Sequence, residues 1–219
     1  EGEDQIALPS TCYPTLSALG NSFDAGLVYR VGQALAEDCI ANDVAVILGP
    51  GVNLKRTPLC GRNFEYFSED PLVSGKMAAA ELRGLKKQGV TGTLKHFAAN
   101  NQEKKRHDVD SIVSERALRE IYLKGFEIAV KEAQADSVMT TYGRLNGVWT
   151  AGRYELNTTI LRNQWGFTGI VMTDWWAKIN NQSGTKGVGN DFASMVRAQN
   201  DIYMVCPQGD ENRTDDNTL

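Results

Sequence analysis

Residues 169–176, GIVMTDWW, decide how this chain folds. The stretch opens as a short apolar run that reads as a strand buried on both faces. It then delivers Thr173, the carboxylate of Asp174 and two large aromatic side chains, Trp175 and Trp176, to the strand's C-terminal tip. Successive strand residues point to opposite faces, so two adjacent tryptophans cannot both enter one core. A carboxylate beside an aromatic face at a strand end is the furniture of a ligand mouth, and sugars, with their apolar C–H faces, fit such a mouth.

Four more runs of the same kind occur: VAVILGP (44–50), TGTLKHFA (91–98), SVMTTY (137–142) and DIYMVC (201–206). Between them lie stretches with helical spacing. Residues 25–42 and 71–88 are two of these, the second preceded by Ser68 and Glu69 as capping candidates. Residues 114–133 begin with Ser114 and an early Glu and keep a clear 3.6 period; 156–165 and 191–200 are shorter. Strands that alternate with helices predict right-handed βαβ units and a parallel sheet.

A (β/α)8 TIM-barrel-like domain and an open doubly wound sheet both satisfy that pattern. Unusual chemistry at several strand ends favours the barrel, which gathers those ends around one mouth. Lys95 and His96 end one strand, Tyr142 ends another and Asp174 a third, while the first strand feeds a loop with Arg62 and Glu65. Five strands in 219 residues are few for a closed barrel, so the expected fold is an incomplete one, over residues 1–207. Residues 208–219, QGDENRTDDNTL, read as a polar loop or disordered tail.

Composition narrows the function. The 42% hydrophobic content supplies one sizeable core. Net charge is −4 and no basic run forms a phosphate-binding footprint, which argues against nucleic acid. No apolar run approaches the ~20 residues of a membrane span. Cys12, Cys39, Cys60 and Cys206 are scattered without a CxxC pair, as expected of reduced thiols rather than a zinc or redox site. With no h-region at the start, these thiols favour a bacterial cytoplasm over secretion. Sequons stand at Asn157, Asn181 and Asn212.

Each strand-end group has competing readings. Asp174 suits a nucleophile, a general base, a metal ligand or a helix cap. Metal is the weaker reading, since the chain has only two histidines and one adjoins a lysine. No cofactor is expected. Lys95 and His96 can grip hydroxyls or lower a neighbouring carboxylate's pKa, or Lys95 can form a Schiff base. The fork of Arg62 suits two adjacent hydroxyls. Tyr142 orients a carboxylate, stacks on a ring, or is a packed core tyrosine.

Four motifs together carry a resemblance. CGRNFEYFSEDP (60–71), LKHFAANNQE (94–103), MTTYGRLNG (139–147) and GIVMTDWW, in this order and spacing, resemble glycoside hydrolase family 3, the β-glucosidase and β-xylosidase group. The resemblance implies a (β/α)8-like domain that removes terminal β-linked sugars with retention. It implies Asp174 as nucleophile, with Arg62, Lys95 and His96 holding the hydroxyls of the sugar. Tyr142 stands near the nucleophile, Met139 forms a pocket wall and Trp175 shapes the mouth.

That mechanism needs Asp174 ionised, and nearby cations are expected to secure this. It also needs a carboxylic acid for the leaving oxygen. Glu65, Glu69 and Glu103 qualify by position only, so the acid is expected from a second domain outside this chain. The N-acetylglucosamine-removing branch uses a histidine dyad that ANNQEKKRHD lacks; His107 is a poor substitute. A sugar-binding aspartate and the first barrel strand are expected before LPSTCYPT, and Asp4 has the wrong context to replace it. The expected substrate is a β-glucoside or oligosaccharide. A β-xyloside, a non-catalytic carbohydrate-binding barrel and a Schiff-base lyase remain as alternatives.

Overall fold

The computed structural model describes residues 10–180, 187–188 and 191–205. The tail 208–219, Asp4, Cys206 and the sequons at Asn181 and Asn212 lie outside the described residues.

Two helices, α1 (Leu16–Asn21) and α2 (Ala25–Ala41), lead into strand β1 (Val46–Ile47). A loop with a 3₁₀ turn at Asn63–Glu65 connects to α3 (Pro71–Lys87) and β2 (Thr91–Phe97). After β3 (Asp110–Ser111), α4 (Glu115–Ala117) runs through a π-helical segment, Leu118–Tyr122, into α5 (Lys124–Ala133). Strands β4 (Ser137–Thr140), β5 (Arg144–Leu145) and β6 (Val148–Trp149) follow, then a π-helix at Glu155–Gln164. The last elements are β7 (Ile170–Met172), β8 (Ile179–Asn180), β9 (Gly187–Val188) and α6 (Phe192–Arg197).

Strands β1, β2, β4 and β7 form one parallel sheet in that order, and Ile202 extends it by a parallel bridge to Met172. The five predicted runs are thus neighbours in chain order, as successive barrel strands are. Leu94, Phe97, Val138 and Val171 pack into the main core with Ala78, Ala79 and Leu82 of α3 and Phe126, Ala129 and Val130 of α5. The rings of Phe97 and Phe126 meet edge-on, centroids 5.1 Å apart. By strand alternation Val46, Leu48, Ile170, Met172, Ile202 and Met204 occupy the other face, where they line an apolar hollow of about 350 Å³. Among the described residues helices pack on one face only, which distinguishes an arc of barrel from a doubly wound sheet, which carries helices on both.

Several boundaries differ from the sequence reading. Asp70, not Ser68 or Glu69, caps α3: its Oδ1 accepts from Val73 N at 2.9 Å, and Ser68 Oγ accepts from Asp70 N. Ser114 does cap the helix expected over 114–133, but the π turn divides that helix. The small sheet β3-β5-β6 and the β8-β9 hairpin were not expected, because two-residue strands leave no period to read. Cys12, Cys39 and Cys60 are free thiols. Asn157 is fully buried and its Nδ2 donates to Thr150 O at 2.9 Å, so this sequon is a structural asparagine.

Candidate active site

The parallel strands place their C-terminal ends along one edge, and the candidate residues collect there. Asp174 lies two residues beyond β7. Its loop is pinned by Thr173 N donating to Ile202 O and Met204 N donating to Thr173 Oγ1, each at 2.9 Å. Asp174 is only 5% exposed. Trp175 N donates to Oδ1 at 2.8 Å, and the Tyr142 phenol also donates to the carboxylate. Burial raises the Asp174 pKa above the ordinary aspartate range; the Trp175 and Tyr142 hydrogen bonds and the charges of Arg62 and Arg106 oppose that rise without cancelling it. Nearby cations, Arg62 and Arg106, do favour the ionised form as expected, but desolvation is the larger effect.

His96 faces it. Nε2 of His96 stands 3.7 Å from Oδ2 of Asp174, and the imidazole is 2% exposed. Burial, then the charges of Arg62, Lys95 and Arg106, drive the His96 pKa well below its usual value, so the ring is neutral. Nδ1 lies 3.0 Å from the Tyr66 hydroxyl, which itself accepts from Asn100 Nδ2 at 3.2 Å. Among the described residues the phenol proton has no acceptor other than Nδ1, which assigns the imidazole proton to Nε2, facing Asp174 and the site. Asn53 fixes the backbone: its Oδ1 accepts from His96 N at 2.8 Å and its Nδ2 donates to His96 O at 2.9 Å.

A second cluster sits beside the first. Arg62 precedes the 3₁₀ turn Asn63–Glu65, and Glu65 N donates to Arg62 O at 3.1 Å. Three residues per turn stack the two side chains, so Arg62 Nε meets Glu65 Oε1. Glu65 Oε2 pairs with Lys95 Nζ at 3.0 Å. Burial opposes ionisation of Glu65, yet the Arg62 hydrogen bond and the Lys95 charge outweigh it and hold its carboxyl below the usual range. Gly51 bridges both Tyr66 and Lys95 in parallel fashion, and a Cβ there would lie 2.7 Å from the Tyr66 ring.

The structure thus brings Arg62, Lys95, His96, Tyr142 and Asp174 to one mouth. Met139 is buried in β4, on the same face as Ser137. Trp175 is half-buried, whereas Trp176 turns outward, 53% exposed with φ +50°. Of the three acid candidates, Glu65 is doubly ion-paired, Glu69 is exposed, and Glu103 accepts from Asn100 and Arg106, each at 3.0 Å. Sequence reading missed Asn53, Tyr66, Asn100 and Arg106. The Arg106 guanidinium lies 4.9 Å from the Tyr142 ring centre, and the His107 ring packs on Tyr142 at 4.1 Å. The one available signal was their place in loops that follow strand ends.

The arrangement offers a buried, partly desolvated carboxylate ringed by donors with spare N–H groups. Residues 1–214 match the family model described as glycosyl hydrolase family 3 N terminal domain. A β-glucosidase of Ruminococcus albus is 59% identical over 197 residues, which is 90% of this chain and 21% of that protein. An exo-α-(1→6)-L-arabinopyranosidase of Bifidobacterium breve is 53% identical over 171 residues, 78% of this chain and 23% of that protein. The crystal structure of a β-glucosidase from Paenibacillus barengoltzii superposes with a TM-score of 0.86 at 55% identity, covering 88% of this chain and 21% of that one. The chain therefore spans between a fifth and a quarter of the length of these relatives.

Proposed function

The chain belongs to glycosyl hydrolase family 3, and on that premise we propose that it is the nucleophile-bearing part of a retaining β-glycosidase acting on terminal β-glucosyl residues. The observation that carries the reading is the buried Asp174 carboxylate, held by Trp175 N and Tyr142 at the mouth with neutral His96 facing it. In this reading Asp174 attacks the anomeric carbon through an oxocarbenium-like state and forms a covalent glycosyl-enzyme, which water then hydrolyses. Arg62, Lys95 and His96 hold the sugar hydroxyls, Trp175 offers the sugar an aromatic face and Met139 closes the wall. The proton for the leaving oxygen comes from a carboxylic acid outside the described residues, in a further domain. The engagement of Glu65 and Glu103 in ion pairs supports this.

The pentopyranosidase name of the Bifidobacterium relative favours one second reading, a substrate without the C6 hydroxymethyl, such as a β-xyloside or an arabinopyranoside. An activated 2-deoxy-2-fluoro-β-glucoside and its xylo counterpart test both, because a very good leaving group needs no acid. A label on the peptide holding Asp174 is the expected result. No label on a folded protein that contains this chain, with either sugar, overturns the assignment.

A further inference from the structure

We propose that Glu65 is a positioning residue for sugar binding: it bridges Arg62 and Lys95 and turns their remaining N–H groups toward the substrate hydroxyls. The inference rests on the glycosidase reading above and deepens it. Arg62 and Lys95 come from different parts of the fold, a loop turn and the end of β2, and both side chains are mostly buried. Two cations that approach each other with little water between them repel, and an anion placed between them reverses that term. Glu65 is that anion, with one oxygen on Arg62 Nε and the other 3.0 Å from Lys95 Nζ.

The geometry also decides which donors are spent. Glu65 takes only Nε of Arg62, and among the described residues neither Nη group has another hydrogen-bond partner. The outer edge of the guanidinium is therefore left for a ligand. The same holds for the remaining N–H groups of Lys95, for which Glu65 is the ion-pair partner among the described residues. Adjacent ring hydroxyls are the class of ligand that a fork and a point donor, side by side, can hold together. Glu65 does not itself serve as an acid, since both its oxygens are engaged. It acts through the two cations.

The 3₁₀ turn makes the device local on one side and long-range on the other. Arg62 and Glu65 are stacked by the turn itself. Lys95 is then drawn to the pair across the Gly51 backbone, which bridges Tyr66 on one side and Lys95 on the other. Shortening or neutralising Glu65 leaves this backbone frame in place and releases the cations.

The experiment uses the full-length protein that contains this chain, with 4-nitrophenyl β-D-glucopyranoside as substrate and D-glucose as the binding probe. Glu65→Gln, Glu65→Asp, Lys95→Met and the Glu65→Gln/Lys95→Met pair are compared. Loss of a charge-assisted contact predicts a fall of about 10- to 100-fold in kcat/KM for Glu65→Gln, with weaker glucose binding and a melting temperature close to wild type. In the Lys95→Met background the same change costs several-fold less, because one cation it serves is gone. Glu65→Asp, which keeps the charge but loses reach, falls between and covers the case in which the glutamine variant does not fold. Unchanged kcat/KM and glucose affinity in an active wild type overturn the inference. So does an equal cost in both backgrounds accompanied by a matching loss of melting temperature, the mark of a merely structural residue. A folded wild type that hydrolyses no β-glycoside overturns the glycosidase reading, and the inference with it.

Discussion

Nε2 of His96 faces Oδ2 of Asp174 across 3.7 Å, with both side chains almost entirely out of water. A neutral imidazole that carries its proton on Nε2 leaves the carboxylate one more polar neighbour without adding a second charge. The gap is longer than a hydrogen bond, so a sugar hydroxyl can compete for either group. Asp174 thus depends on Trp175 N and Tyr142 for the contacts that favour its ionised form.

That dependence has a pH signature. Burial raises the Asp174 pKa and the Tyr142 hydrogen bond lowers it. The acid limb of kcat/KM in the full-length protein is therefore expected above the ordinary aspartate range. Tyr142→Phe removes a donor to the charged form, so the limb moves further up, by about one pH unit if the bond has the usual charge-assisted strength. An acid limb that stays in place, or moves down, rules out control by Asp174 through Tyr142.

Asn53 is expected to matter as much as the residues it supports. Its amide satisfies both backbone groups of His96 in a buried setting, at 2.8 and 2.9 Å. Asn53→Ala leaves an N–H and a C=O buried without partners and is expected to destabilise the fold by about 2 kcal/mol or more. Asn53→Asp keeps the acceptor for His96 N and loses the donor to His96 O, so it should also destabilise. Urea denaturation of both variants checks this. A destabilisation below about 0.5 kcal/mol in each would mean that water or backbone movement replaces the amide.

Much of the framework could be read from the sequence because its signals are local. The five apolar runs are long enough to show a pattern, and Lys95, His96, Tyr142 and Asp174 stand out as polar groups at their ends. Arg62 could be placed by its motif. The supporting residues could not. Asn53 reaches His96 across 43 residues of chain, and Asn100 reaches Tyr66 across 34. Nothing periodic in their loops announces such pairings. The balance of charge against burial at Asp174 was equally hidden, since the sequence shows which cations exist but not how much water the fold removes.

Gly51 should resist substitution. It is the backbone bridge between Tyr66 and Lys95, and an added Cβ would run into the Glu65 carbonyl oxygen and sit 2.7 Å from the Tyr66 ring. Tyr66 is fully buried and bonded to His96, so it has little room to yield. Gly51→Ala is expected to cost about 1–3 kcal/mol through overpacking and to lower kcat/KM by displacing His96 and Glu65 together. A variant with wild-type stability and activity would show that the Glu65 backbone and the Tyr66 ring both yield, against this packing.

Glu81 gives a stability prediction separate from the site. It lies in α3 at 3% exposure, its Oε2 has no hydrogen-bond partner, and burial raises its pKa from 4.5 to about 7. The raised folded value means that the folded state holds a proton which the unfolded state releases between those two values. Stability contributed by this group therefore falls as pH rises from about 4.5 to 7 and stays low above that. The full penalty is about 3 kcal/mol from the size of the shift. Glu81→Leu removes the titrating group, so its stability relative to wild type should be higher at pH 8 than at pH 4.5 by that amount, measured by urea unfolding at both. Other groups titrate alike in the two proteins and drop out of the comparison. An identical difference at the two pH values would mean that Glu81 reaches water or a partner when it ionises.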